Sequence, residues 1–159
     1  MKKLVYLIRH GKADWPKWDK PDDERPLTKK GKAEAKRVAK FLRRAGAEPL
    51  LIFSSPLRRA TETAEIFAKE LCLELGVEED LGKGFSAARF KRIVNEHDVK
   101  GMAFVGHEPD FTNVIRALTG ANVHLSKCGV ALIELAASPS EAKLRWLFPP
   151  SFTRTRGRL

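Results

Sequence analysis

Cysteine is scarce in this sequence. Cys72 and Cys128 are the only two; they could close a single bridge, but no Cys-x-x-Cys spacing is present, which argues against thiolate metal and redox frameworks. Both stand in apolar stretches and read as packed free thiols of a reducing cytoplasm. Long hydrophobic runs are missing too. Nothing approaches the roughly 20 apolar residues that span a bilayer, so no membrane partner is expected. The run Leu4 to Ile8 behind Met1-Lys2-Lys3 is too short for a secretory leader and ends in Arg9-His10, so it reads as a first strand and the expected location is cytoplasmic. There is no internal repeat, no long Gly/Ser linker and no residue group with metal-ligand spacing, so neither metal nor cofactor is expected. Acid is the minority charge: twenty Asp and Glu face thirty Lys and Arg, a formal charge of +10. That excess attracts phosphate esters, phosphoproteins, nucleic acid or acidic surfaces without choosing among them.

What is present is the material of one domain. The chain has 159 residues, 43% hydrophobic and 31% charged, enough for a core without staples. We assign residues 1–152 to a single domain and 153–159 to a frayed basic tail. Leu4 to Ile8, Leu50 to Phe53 and Met102 to Val105 are continuous apolar runs, as in strands buried on both faces. Val130 to Leu135 and Leu144 to Phe148 are further strand candidates. Asp14 to Arg25, with Pro16 and Pro21, reads as a surface loop.

Between the strands run amphipathic helices. Thr28 caps one whose inward face is Ala35, Val38, Ala39 and Leu42, ending at Gly46. Ser55 and Pro56 open a second, as N-cap and first helical residue, with a stripe of Leu57, Ala60, Ala64, Phe67 and Leu71. Residues 76–85 read as a loop, Ser86 to about Glu96 as a helix, and Pro109 starts another with Phe111, Val114, Ile115 and Leu118 inward, stopping near Gly120. The alternation predicts a three-layer α/β/α sandwich around a mostly parallel sheet.

Three strand ends carry the chemistry. Arg9-His10-Gly11 places an imidazole just past a buried strand, where one nitrogen can be nucleophilic if the other is held by a carbonyl. Gly11 leaves room for a phosphate, and Arg9 can fork two donors onto its oxygens. Ser54 to Ala64 brings Arg58 and Arg59 into the first turn of a helix. Cations there oppose the macrodipole, a cost an anion relieves, and one of the two arginines suffices. Gly106-His107-Glu108-Pro109 adds a second imidazole at a third strand end, able to bind or neutralise a phosphoryl oxygen. Ligands in open α/β sheets bind outside the carboxyl ends of the strands, so one edge can gather all three. His97 and His124 have no such setting and read as structural or surface residues.

Together these segments resemble the histidine phosphatase superfamily, which shares Arg-His-Gly with the phosphoglycerate mutases. The likeness includes Arg25-Pro26-Leu27-Thr28 followed by Gly31, the Ser-Ser-Pro-Leu-x-Arg-Ala-x-x-Thr-Ala segment, and Gly-His-Glu-Pro. It implies a phosphoglycerate mutase-like fold and catalytic residues His10, Arg9, Arg59 and His107. It selects Arg59 over Arg58, and adds Arg25 and Gly11 as substrate-binding residues. The short chain and its Arg-Pro-Leu-Thr stretch are most similar to the SixA-type phosphohistidine phosphatases. In such enzymes the nucleophilic histidine is phosphorylated and then hydrolysed.

Esterases of this superfamily also use a carboxylic acid to protonate the leaving oxygen. Glu78, Glu79 and Asp80 lie in the corresponding region, and the sequence leaves open whether any of them does so. If none reaches the pocket, P–N substrates gain over alkyl phosphates, because an imidazole leaves without alkoxide charge. The expected partner is a phosphorylated protein or small phosphorylated molecule, and the expected state a monomer. A phosphate ester or sugar phosphate is the alternative substrate, and a nucleic-acid- or phosphoprotein-binding module the alternative class. Lys29, Lys30, Lys32, Lys36, Arg37, Lys40, Arg43 and Arg44 favour the former module only weakly: they read as the solvated face of a helix, with no nucleic-acid motif beside them.

Overall fold

A computed structural model describes residues 2–137 and 141–155. In chain order the elements are β1 (Lys3–Arg9), α1 (Lys29–Arg44), β2 (Leu51–Ser54), α2 (Arg58–Leu71), β3 (Glu74–Val77), α3 (Ala87–Glu96), β4 (Gly101–Gly106), α4 (Asp110–Thr119), β5 (Val130–Leu135) and β6 (Ala142–Phe148). Short 3-10 turns lie at Asp22–Glu24, Glu79–Leu81 and Pro150–Thr153. The sheet order is β3-β2-β4-β1-β5-β6. The first four strands run parallel, and only β5 is reversed.

Strand alternation divides the core in two. On β1, Tyr6 and Ile8 face one cluster with Val38, Leu42, Ala64 and Phe67 of α1 and α2. Val5 and Leu7 face the other, with Phe90 and Ile93 of α3 and Phe111 and Ile115 of α4. β4 repeats the division: Ala103 and Val105 join the first cluster, Met102 and Phe104 the second. Each long run is hydrophobic throughout because both faces meet helices. The result is the expected three-layer sandwich.

Side-chain caps fix the starts of α1 and α3. Thr28 Oγ1 accepts from Gly31 N at 3.0 Å and Ser86 Oγ from Arg89 N at 3.3 Å. α2 begins later than expected, at Arg58 rather than Pro56. Ser55 Oγ accepts from Leu57 N at 3.2 Å, which makes a tight turn before the helix rather than its cap. β3 was not expected at all. Glu74-Leu75-Gly76-Val77 is too short and polar to read as a strand alone, yet it pairs in parallel with all of β2 as an edge. The two cysteines also differ: both are free, but only Cys128 is buried, while Cys72 is exposed in a left-handed conformation at the end of α2. Thr153, where the basic tail was placed, is buried, and its Oγ1 accepts from Arg37 Nε at 3.0 Å. Residues 156–159 of that tail lie outside the described residues, as does Met1. Among the described residues, no helix is long and apolar enough to cross a membrane.

Candidate phosphoryl-transfer site

Register brings the strand ends together. Arg9 pairs with Gly106 and Ser54 with Val105, so the next residues, His10, His107 and Ser55, emerge side by side at the carboxyl edge of the sheet. His10 N donates to Gly106 O at 3.0 Å and Ser55 N to Val105 O at 3.0 Å, extending the ladder one step into the site. The turn into β5 closes the same edge: Cys128 N lies 3.1 Å from the carbonyls of both Arg9 and His10.

The His10 ring is buried, and its Nδ1 sits 2.7 Å from Gly11 O. A carbonyl can only accept, so Nδ1 carries the proton and Nε2 keeps a lone pair. Burial pushes the pKa down to about 3; the Gly11 carbonyl opposes this, while His107, Arg59 and Arg9 add to it. The imidazole is therefore neutral at ordinary pH. His107 lies with its ring centroid 5.2 Å from that of His10, and its Nε2 is 2.6 Å from Ser55 Oγ. Burial and the charge of Arg59 lower its pKa to about 4.

The guanidinium groups are held from below and from the side. Arg9 Nη1 donates to Leu125 O at 3.1 Å. Arg59 is buried, and binds Asp22 twice: Nη1 donates to the backbone carbonyl at 3.0 Å and Nη2 meets Oδ2 at 3.1 Å. Arg58 is exposed, with Nε 3.6 Å from Glu62. Arg25 reaches the same Asp22 carboxylate with Nε and Nη2, each at 3.1 Å, and donates through Nη1 to Ala13 O. Arg9 Nε, Arg59 Nε and His107 Nδ1 are buried without a hydrogen-bond partner. Such polar atoms are costly unless something answers them. An anion held among cations and imidazoles would do so.

The structure thus brings Arg9, His10, Arg59 and His107 to one place and links Arg25 to it through Asp22. Gly11 is adjacent, but its smallness serves packing: a Cβ there would lie 3.3 Å from Gly31 O and from Leu27 Cδ2. Its N–H is also taken, donating to Thr63 Oγ1 at 3.0 Å, and that hydroxyl in turn donates to Arg59 O at 2.7 Å. Thr63 therefore ties the segment after His10 to the helix that carries Arg59. The sequence pointed to no site role for Thr63 or Asp22 and cast Ser55 only as a helix cap; Ser55 and Thr63 lie within the Ser-Ser-Pro-Leu segment, and Asp22 just ahead of Arg25-Pro26. The loop acids turn elsewhere. Arg92 of α3 pairs with Glu78 at 3.1 Å and also with Asp80, and Glu79 is exposed. The carboxylates whose charge reaches His107 are Asp22 and Asp23. His97 packs against Phe53, with ring centroids 4.7 Å apart, and His124 is exposed. No group of three or more His, Cys, Asp or Glu able to hold a metal occurs among the described residues.

The sequence profile of the histidine phosphatase superfamily (branch 1) matches residues 5–83, which include Arg9, His10, Arg25 and Arg59. An uncharacterized protein of Picosynechococcus is 31% identical, over 91% of this chain and 99% of its own. The structure of the protein histidine phosphatase SixA complexed with tungstate superposes with a TM-score of 0.83 at 23% identity, covering 95% of this chain and 99% of that one. A mycobacterial glucosyl-3-phosphoglycerate phosphatase superposes with a TM-score of 0.71 at 18% identity, covering 91% and 98%.

Proposed function

From the premise that this chain belongs to the histidine phosphatase superfamily, with a phosphoglycerate mutase-like fold and the activity of a phosphatase hydrolase, we propose that it removes phosphoryl groups from phosphohistidine through a covalent intermediate on His10. In the first step the Nε2 lone pair of His10 attacks phosphorus in line. A P–N bond forms to His10 as the P–N bond to the substrate imidazole breaks, and the leaving nitrogen keeps the electron pair and takes up a proton from solvent, which the attacking water of the second step returns. In the second, a water oxygen attacks the same phosphorus and loses a proton, the bond to Nε2 breaks, and inorganic phosphate departs. Arg9, Arg59 and His107 bind the equatorial oxygens, where charge is spread in such transition states. Arg25 adds a further cation beside Arg59.

One observation carries this reading: the Gly11 carbonyl fixes the proton on Nδ1, leaving a neutral Nε2 among two guanidinium groups. The choice of P–N substrate rests on the acids. Glu78 and Asp80 are engaged by Arg92, so neither is poised to protonate an alkoxide. Two free cysteines support a reducing cytoplasm, and we take the protein as a monomer of one domain. A sugar phosphate is the second reading, favoured by the likeness to the glucosyl-3-phosphoglycerate phosphatase. The test is turnover of a phosphohistidine peptide by wild type and His10→Ala, with acid-labile phosphate trapped on the protein. We expect label on His10 in wild type and turnover at least 10³-fold lower in the variant; an active His10→Ala protein would rule the mechanism out.

A further inference from the structure

The loop before Arg25 holds two tryptophans that serve neither core cluster. Trp15 is 41% exposed and Trp18 half-buried, with ring centroids 6.4 Å apart. Their only polar atoms are already spent on the loop itself: Trp15 Nε1 donates to Pro26 O at 2.8 Å and Trp18 Nε1 to Pro21 O at 3.1 Å. Each ring is thus pinned at its edge, and what remains to offer is its π-face. Exposing two large rings on a polar loop is unfavourable unless something covers them.

The rings line a cavity linked to the phosphoryl site through Asp22. An open cavity of about 370 Å³ is lined by Asp14, Trp15, Pro16, Trp18, Asp22 and Arg25. Asp22 is the residue that Arg59 and Arg25 both grip, so the aromatic wall and the guanidinium pair share one side chain. In-line attack sends the leaving group away from His10 Nε2, and the cavity beside Asp22 and Arg25 is a neighbouring space able to receive it.

We propose that Trp15 and Trp18 form a leaving-group subsite that receives the planar ring bearing the phosphoryl group, an imidazole in the case of phosphohistidine. The inference rests on the phosphatase reading above and deepens it: the pocket of arginines and imidazoles reads the phosphoryl, and the indole faces read what carries it. A flat ring stacks on them at little entropic cost, since both indoles are already fixed. A leaving group without a ring gains nothing there. Lys20 shows what the faces attract, with its ammonium 5.7 Å from the Trp18 ring centre; an imidazole that acquires a proton as it departs suits the same surface.

The test compares kcat/KM for a phosphohistidine peptide, phenyl phosphate and phosphoramidate, which has no ring, in wild type, Trp15→Ala, Trp18→Ala and Trp15→Phe. The expected result is that the ratio of phosphohistidine to phosphoramidate falls about tenfold in each alanine variant and stays near wild type in Trp15→Phe. Activity on phosphoramidate reports that each variant is folded. A ratio unchanged in both alanine variants overturns the subsite and leaves the phosphatase reading standing. Wild-type turnover of phenyl phosphate with none of phosphohistidine overturns the imidazole as occupant. Absence of turnover on all three substrates overturns the subsite together with the function on which it rests.

Discussion

A histidine tied through Nδ1 to a carbonyl has one nitrogen left for chemistry, and burial decides whether that nitrogen holds a proton. For His10 and His107 the folded protein lowers the pKa to about 3 and about 4, against roughly 6.5 in the unfolded chain. Between those values the unfolded state binds more protons, so stability rises with pH there and is lost as pH falls below 6.5. Urea melts at pH 7 and pH 5 should show wild type losing on the order of 4 kcal/mol more than a His10→Gln/His107→Gln double variant, about 2 for each imidazole; equal losses would mean that the imidazoles are not held neutral. Thr63 offers a second check. Thr63→Val keeps the shape but removes the acceptor for Gly11 N, a buried donor, at a cost of about 1–3 kcal/mol. Because Gly11 orients His10, kcat should fall more than KM rises. These supporting residues were not legible in the sequence. Arg9, His10 and His107 announced themselves by standing at the ends of apolar runs, whereas Thr63 and Asp22 acquire their roles only from neighbours 52 and 37 residues away.

Elements with a strong pattern were legible and weak ones were not. β1, β4, α1 and α4 fell where apolar periodicity placed them, because each buries a face that nothing else can cover. β3 carries no such pattern: as an edge strand it is held by backbone pairing to β2, which composition does not encode. The start of α2 slipped because Ser55 turns the chain and meets His107 instead of capping a helix. The Gly31 that follows Arg-Pro-Leu-Thr gains a physical reason. A Cβ at that position would lie 2.2 Å from Lys12 O, so the first turn of α1 rests directly on the backbone two residues past His10. Gly31→Ala must push the two apart. Despite the better helix propensity of alanine, we expect a loss of roughly 1–3 kcal/mol by thermal or urea melt, together with reduced turnover; an unchanged melt would show that this contact yields freely.

At the scale of the whole molecule, charge is the dominant feature. The formal charge of +10 lies partly on the solvent-facing side of α1, and its field acts on any approaching dianion. Raising ionic strength from about 0.02 M to 0.3 M shortens the Debye length from roughly 20 Å to below 8 Å. The value of kcat/KM for a phosphorylated substrate should therefore fall several-fold while kcat changes little; insensitivity to salt would confine the electrostatics to the pocket. The two thiols give the molecule a different kind of asymmetry. Cys128 is fully buried, with its pKa pushed up by that burial, while Cys72 stands exposed at the end of α2, the helix that carries Arg59 near its beginning. Thirteen helical steps separate the two, about 20 Å. A maleimide dye would thus attach at one address without engineering, remote from the proposed phosphate pocket and rigidly coupled to the helix that carries Arg59.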